Sequence, residues 1–204
     1  MAERREPFSE RCGSGLVARD ALPLDLRRLA ARIARCTKCT LHQTRMRTVP
    51  GEGPANARIV LVGEAPGREE DRRGRPFVGA AGRILDEALL RAGIPRDDVY
   101  ITNAVKCRPP GNRRPSRAEV ETCGPYLTAQ IETIGPGVVV ALGQTAARAM
   151  FGPGAALSKI RGRWRLIHGV PVLVTYHPAA ILYNRRLFPK LAGDLAKARR
   201  RAEG

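Results

Sequence analysis

Apolar positions along this chain recur with two different periods, and each change of period marks a boundary between a short buried strand and a longer helix. Leu26, Leu29, Ala30 and Ile33 recur at helical spacing behind a candidate cap at Asp25, which predicts a helix from Leu24 that runs into Cys36. Arg58-Ile-Val-Leu-Val62 reads as a strand and opens into a polar, glycine-rich loop from Gly63 to Gly79. The helical period returns with Ile84, Leu85, Ala88, Leu89 and Ala92, and stops at Gly93 with Pro95 beyond it. Val99–Val105 is a second strand, followed by a stretch from Cys107 to Pro115 too rich in proline for regular structure. Ser116 and Glu119 have the spacing of a capping box and begin the helix that carries Cys123. Gly137–Leu142 reads as a strand, Gly143 as a turn and Gln144–Phe151 as a helix. A hairpin-like pair at 164–167 and 170–175 precedes His177, and a basic helix is expected over Arg186–Arg201.

Strands alternating with helices predict an α/β fold in which helices cover both faces of a parallel sheet. Three strand-like runs end on polar groups: the Gly63 loop, Asn103 and His177. In open α/β sheets, ligands bind outside the carboxyl ends of the strands. Parallel neighbours would therefore bring Glu64, Glu70, Phe77, Asn103 and His177 to one pocket. Residues 1–22 are charged and lack periodicity, and are expected to form a disordered leader ahead of a single domain over 23–204.

The 204 residues, 43% of them hydrophobic, are enough for one domain with a real core. No apolar run approaches the roughly 20 residues of a membrane span, and the N-terminus lacks a signal-peptide core, so a cytoplasmic protein with no membrane partner is expected. A formal charge of +17, carried mostly by arginine, favours a polyanion, with nucleic acid first. Of five cysteines, Cys36 and Cys39 form a Cys-x-x-Cys pair, Cys107 and Cys123 flank the proline-rich loop, and Cys12 sits in the leader. Four thiolates make one closed metal site; on spacing alone, structural zinc and an iron–sulfur cluster fit equally, against a plainer reading as small buried hydrophobes. A Rossmann-type nucleotide site fits poorly, because Gly63 and Gly67 lack the Gly-x-Gly-x-x-Gly spacing and Glu64 would face the pyrophosphate.

Several motifs together resemble the family four, iron–sulfur uracil-DNA glycosylases: Gly63-Glu-Ala-Pro-Gly67, Gly74-Arg-Pro-Phe-Val-Gly79, Thr102-Asn-Ala-Val-Lys-Cys-Arg-Pro-Pro110 and His177-Pro-Ala-Ala180. The likeness runs from about Leu26 to Leu195 and includes the four cysteines in order. It implies a three-layer α/β/α sandwich with a four-stranded central parallel sheet, and a structural 4Fe-4S cluster on Cys36, Cys39, Cys107 and Cys123. It also implies a monomer, associated with the nucleoid through DNA, that releases uracil from single- or double-stranded DNA and leaves an abasic site. The alternatives are a noncatalytic iron–sulfur DNA-binding protein and a glycosylase preferring another deaminated base.

On that resemblance, the Asn103 amide pairs with O4 and the N3 proton of uracil and meets the opposite pattern on cytosine. Phe77 stacks on the flipped base, Glu64 and Ala65 line the uracil site, and His177 stabilises the leaving anion as a neutral imidazole. Glu70 is expected to orient water or face the oxocarbenium, with Glu69 and Asp71 solvated. The best-known branch of the superfamily has an aspartate where this chain has Ala65, so Ala65 cannot activate water. Another branch carries a loop histidine that becomes joined to DNA; the segment from Cys107 to Pro115 has none, so turnover is expected. Lys106, Arg108, Arg113, Arg114, Arg185 and Arg186 are candidate phosphate contacts, Ile181 or Leu182 a wedge filling the gap left by the flipped base, and Asn112 a further polar or turn residue.

Overall fold

Every residue of β1 (Ile59–Gly63), β2 (Val99–Asn103) and β3 (Val138–Leu142) is buried, as expected of parallel strands covered on both faces. The computed structural model describes residues 24–204. The leader expected over 1–22, with Cys12, lies outside the described residues. Strand order is β2-β1-β3-β5-β4, where β4 spans Trp164–Ile167 and β5 spans Val170–Thr175. The four strands β2, β1, β3 and β5 are mutually parallel, as the resemblance implies. The sheet nevertheless has five strands, because β4 adds antiparallel to β5 at the edge. His168 and Gly169, with φ of +48° and +81°, make the two-residue turn between them, and so short a turn can join only antiparallel neighbours.

Alternate side chains of each strand enter opposite layers. Val60, Val62, Val139, Ala141, Val172 and Val174 pack under α1 (Leu24–Ala34), α4 (Arg117–Ile134), α5 (Gly143–Phe151) and the short α6 (Leu157–Ile160). Ile59, Leu61, Ile101, Val138, Val140 and Leu173 pack under α3 (Ala80–Ala92), α7 (Pro178–Tyr183) and α8 (Phe188–Glu203). The result is the expected three-layer sandwich. At about 25 cal/mol per Å² of apolar surface removed from water, these two faces dominate the folding free energy.

Local chemistry sets the helix boundaries. Gly93 and Gly135 end α3 and α4 in the left-handed conformation. Asp25 lies inside the first turn of α1 instead of capping it. The terminal helix begins at Phe188, two residues after the expected start, because Pro189 can sit only in a first turn. The glycine-rich loop is interrupted by α2 (Arg68–Arg73), a helix too short to show a period in the sequence. At the start of α4, Ser116 Oγ accepts from Glu119 N and Glu119 Oε2 accepts from Ser116 N, at 3.2 and 2.7 Å. Ser116→Ala is expected to cost about 1 kcal/mol, read as a lower denaturant midpoint with an unchanged slope.

Candidate active site

The chain leaves β1 for β2 on one side of the sheet and then crosses to β3 on the other, so the order reverses between β1 and β3. A crevice opens at the carboxyl ends of such strands. Glu64, just after β1, accepts a hydrogen bond from the hydroxyl of Thr145 in the first turn of α5, closing the crevice from side to side. The backbone carbonyl of Glu64 also accepts from Val105 N at 3.1 Å, which ties the ends of β1 and β2 together. Ala65 packs at the edge of the α1/α4 core layer.

Asn103 ends β2 opposite Gly63 in the parallel register. Its side chain is 2% exposed, and its Oδ1 is the buried side-chain polar atom left without a hydrogen-bond partner among the described residues. Leaving such an acceptor unpaired costs roughly 1–3 kcal/mol, which a ligand donor would recover. Gly63 makes this placement possible: a Cβ there would lie 2.3 Å from Asn103 Oδ1 and 2.7 Å from the Phe77 ring. Phe77 has φ of +52°, a left-handed backbone that a bulky residue adopts only when its surroundings impose it. Gly82 contributes to that constraint, because a Cβ at this position would meet the Phe77 carbonyl at 1.9 Å. Phe77 and Asn103 thus converge over the bare end of β1.

His177 caps α7 and completes the group. Its ring centroid lies 5.7 Å from that of Phe77, with the planes tilted by 31°. Nδ1 accepts from the backbone N–H of Ala179 at 3.1 Å, so the neutral ring carries its proton on Nε2. Burial pushes its pKa down to about 4. Gly143 makes room behind it, since a Cβ there would approach His177 Cβ to 2.8 Å.

Glu70 is held by backbone amides. Oε1 accepts from Val78 N and Gly79 N at 2.9 and 2.8 Å, and Oε2 accepts from Gly67 N at 3.1 Å. These bonds join both ends of the loop that presents Phe77. The expectation of a solvated Asp71 is wrong: it is 1% exposed and its Oδ1 accepts from Met46 N and Arg47 N at 2.9 and 3.2 Å. Glu69 does face solvent, paired with Arg72 and Arg73.

The candidate DNA contacts divide by exposure. Arg114 and Arg186 are exposed, Arg185 pairs with Glu87 at 2.7 Å, and Arg113 is bidentate to Glu119 at 2.7 and 2.9 Å. Arg108 donates to Asn112 Oδ1 at 2.7 Å, and Asn112 itself has φ of +56°, so Asn112 serves the turn. Ile181, 1% exposed, belongs to the core and cannot wedge DNA; Leu182, 48% exposed, is free to do so. Tyr183 beside it is 92% exposed, an aromatic group the sequence reading passed over. Lys106 is also corrected: it is 1% exposed and its Nζ bonds to Thr102, Asn103 and Gln130, so it cannot reach a phosphate.

A second constellation lies on the α1/α4 side. Cys36, Cys39, Cys107 and Cys123 line one cavity together with Ile33, Arg45, Val105 and Tyr126. Arg45, also missed in the sequence, bridges the two cysteine pairs: its guanidinium donates to Cys107 Sγ at 3.1 Å, to Cys36 O at 2.8 Å and to Ala34 O at 3.2 Å. Lys106 N donates to Cys123 Sγ at 3.3 Å. Burial pushes the Cys107 thiol up to about 11 and raises Cys123 as well, against the pull of Arg45 on the first and of Lys106 on the second. Among the described residues, no group of three His, Cys, Asp or Glu side chains is arranged to hold a metal ion, so the thiols ring the cavity without converging on one point.

The family model of the uracil DNA glycosylase superfamily matches residues 50–199. The type-4 uracil-DNA glycosylase of Archaeoglobus fulgidus is 48% identical over 175 residues, covering 81% of this chain and 87% of that protein. The type-4 enzyme of Pyrobaculum aerophilum is 49% identical over 181 residues, 85% and 92% of the two chains. That of Thermotoga maritima is 50% identical over 161 residues, 77% and 83%.

The buried ring of His177 gives a direct prediction. Its folded pKa lies below its ordinary value of 6.5, so between pH 6.5 and about 4 the unfolded chain binds a proton that the folded chain refuses. Stability is therefore lost as pH falls through this window, and the ring nitrogen resonances of His177 should show the Nε2–H tautomer unchanged down to about pH 5. Titration of that ring near 6.5 would contradict the assignment.

Proposed function

The chain belongs to the uracil DNA glycosylase superfamily, and from that premise we propose that it excises uracil from DNA, hydrolysing the N-glycosidic bond and leaving an abasic site. The activity is that of a uracil-DNA glycosylase, a hydrolase of DNA repair. The observation that carries the base specificity is the unpaired, buried Oδ1 of Asn103 beside the Phe77 ring. Uracil offers a donor at N3 and an acceptor at O4, the complement of one amide; cytosine offers the reverse pattern.

The remaining roles follow from charge. Breaking the bond leaves positive charge on the sugar and negative charge on the departing base. His177, neutral and protonated on Nε2, donates to uracil O2 without delivering a full proton. Phe77 stacks on the base, with Glu64 and Ala65 lining the crevice. Glu70 holds the Phe77 loop, and its Oε2, which accepts a single hydrogen bond, keeps a lone pair to orient the attacking water. Leu182 fills the space of the flipped nucleotide. Arg108, Arg114 and Arg186 contact phosphates, and Arg113 and Arg185 join them by exchanging carboxylate partners for phosphate. The protein is proposed to act as a cytoplasmic monomer on single- or double-stranded DNA. No helix among the described residues is long and apolar enough to cross a membrane.

Cys36, Cys39, Cys107 and Cys123 are assigned to a 4Fe-4S cluster. An all-thiol donor set spread around a cavity suits a polynuclear group, whose irons bind thiolates at separate corners; a single zinc would require all four sulfurs within about 2.3 Å of one centre. The group would supply a cross-link between the N-terminal segment and the Cys107 loop, with no redox step in base release. Arg45 and the Lys106 amide offset thiolate charge.

Two outcomes test these assignments. Asn103→Ala should lower single-turnover uracil release by on the order of 100-fold or more with DNA binding retained, and Asn103→Asp should narrow the preference for uracil over cytosine. Equal activity in all three proteins would reject Asn103 as the reader, and binding without any release by the parent chain would make it a noncatalytic DNA-binding protein. Anaerobically purified protein should be brown, with iron and sulfide in equal amounts, and Cys123→Ala should lose both colour and thermal stability; colourless protein with one bound zinc would reject the cluster.

A further inference from the structure

Lys106 is a buried cation for which phosphate binding offers no explanation. Its Nζ donates to Gln130 Oε1 at 2.6 Å, to Thr102 Oγ1 at 2.7 Å and to the backbone carbonyl of Asn103 at 2.6 Å, which uses all three of its donors. No carboxylate belongs to this set. Burying an ammonium among neutral acceptors is costly, and an apolar side chain would fill the same volume more cheaply. The group must therefore be held for what it positions.

Its partners are themselves fixed. Gln130, 1% exposed on α4, donates through Nε2 to Pro50 O at 2.7 Å and to the Tyr100 hydroxyl at 3.1 Å. Thr102 donates to Pro50 O at 2.9 Å. The Lys106 carbonyl accepts from Val49 N at 2.8 Å, and its amide donates to Cys123 Sγ at 3.3 Å. Lys106 thus joins the 49–50 segment, α4 and the end of β2 at one point. Asn103 is where β2 stops: the next amide, Ala104 N, makes the last ladder bond to β1, donating to Gly63 O at 2.9 Å. The peptide that follows Asn103 is therefore held at both ends, its N–H by Gly63 O on β1 and its carbonyl by the Lys106 ammonium at 2.6 Å.

Building on the reading of Asn103 as the base reader, we propose that Lys106 is a positioning residue for base recognition: it fixes the main chain of Asn103 and so aims the Asn103 amide at the bound base. The side-chain oxygen sits one residue's torsions from the carbonyl that Lys106 holds. Releasing that carbonyl leaves the peptide held by the Ala104 N–H bond to Gly63 O alone, so that it can tilt about that bond and carry Oδ1 from its place over Gly63. Lys106 does not touch the base, and its contribution passes through Asn103.

A double-mutant cycle isolates that route. Single-turnover uracil release from one labelled oligonucleotide is measured for the parent chain, Lys106→Met, Asn103→Ala and the double variant. Cluster absorbance and thermal unfolding of each protein are recorded alongside. Lys106→Met should slow release by about tenfold or more in the parent, yet by less than about twofold when Asn103 is already alanine. The same loss in both backgrounds would overturn the inference, because Lys106 would then act elsewhere. If Lys106→Met does not fold, Gln130→Leu takes its place in the cycle, with Gln130→Glu expected to restore activity by keeping an acceptor for the ammonium. A parent chain that releases no uracil would defeat the glycosylase reading and this inference together; release with additive losses would defeat the inference alone.

Discussion

A buried amide oxygen without a partner is the constraint around which the pocket is arranged. Folding strips Asn103 Oδ1 of water and gives nothing back, a loss of roughly 1–3 kcal/mol that the fold carries until a donor arrives. The oxygen is kept unpaired by what surrounds it: bare backbone at Gly63, the ring of Phe77, and a strand end whose backbone carbonyl is already taken by Lys106. A donor that fits this gap gains in full what folding lost, whereas an acceptor placed there meets the same charge and is repelled. Selectivity follows from the sign of one hydrogen bond.

The same economy appears at the other pocket residues. Phe77 is held in a left-handed conformation by Glu70, which joins Gly67, Val78 and Gly79, and by Gly82, which lets α3 start directly against the loop. His177 is fixed by the amide of Ala179, which decides its tautomer, and by burial, which decides its charge. Further back, Asp194 accepts from Thr175 and Arg161, both at 2.8 Å, and anchors the end of β5 just before His177. At Phe77 and His177 backbone amides do the positioning, directly or through Glu70, and leave an aromatic or polar face free for a ligand.

The fold was largely legible because its signals are local. Continuous apolar runs gave β1, β2 and β3, the Ser116–Glu119 spacing gave the start of α4, and glycines gave the helix ends. Asn103, His177 and Glu64 were legible for a related reason, since each lies at or just past the end of a strand and the parallel arrangement gathers them, while Phe77 reaches the same place from the loop ahead of α3. Burial of polar groups was not legible. Lys106 stands beside Arg108 in a basic loop and reads as another surface cation; its true neighbour Gln130 lies 24 residues away across α4. Asp71 stands among charged residues of a short helix, and only the fold brings the backbone of Met46 and Arg47 to it. Ile181 and Leu182 are alike in sequence, and their fates are decided by which of them faces α3 and α8. The edge strand β4 falls between these cases: its hairpin was visible, but its place in the sheet depended on the turn at His168 and Gly169.

Competition by free bases tests the central point most directly. Uracil and its N3-methyl derivative differ at the one atom that Asn103 Oδ1 is placed to meet, while their ring faces and O2 groups are otherwise alike. Measured as inhibitors of uracil release from an oligonucleotide, uracil should compete and the N3-methyl derivative should be weaker by on the order of tenfold or more, a difference that shrinks in Asn103→Ala. Equal inhibition by the two bases in the parent chain would show that the unpaired oxygen does not read the base.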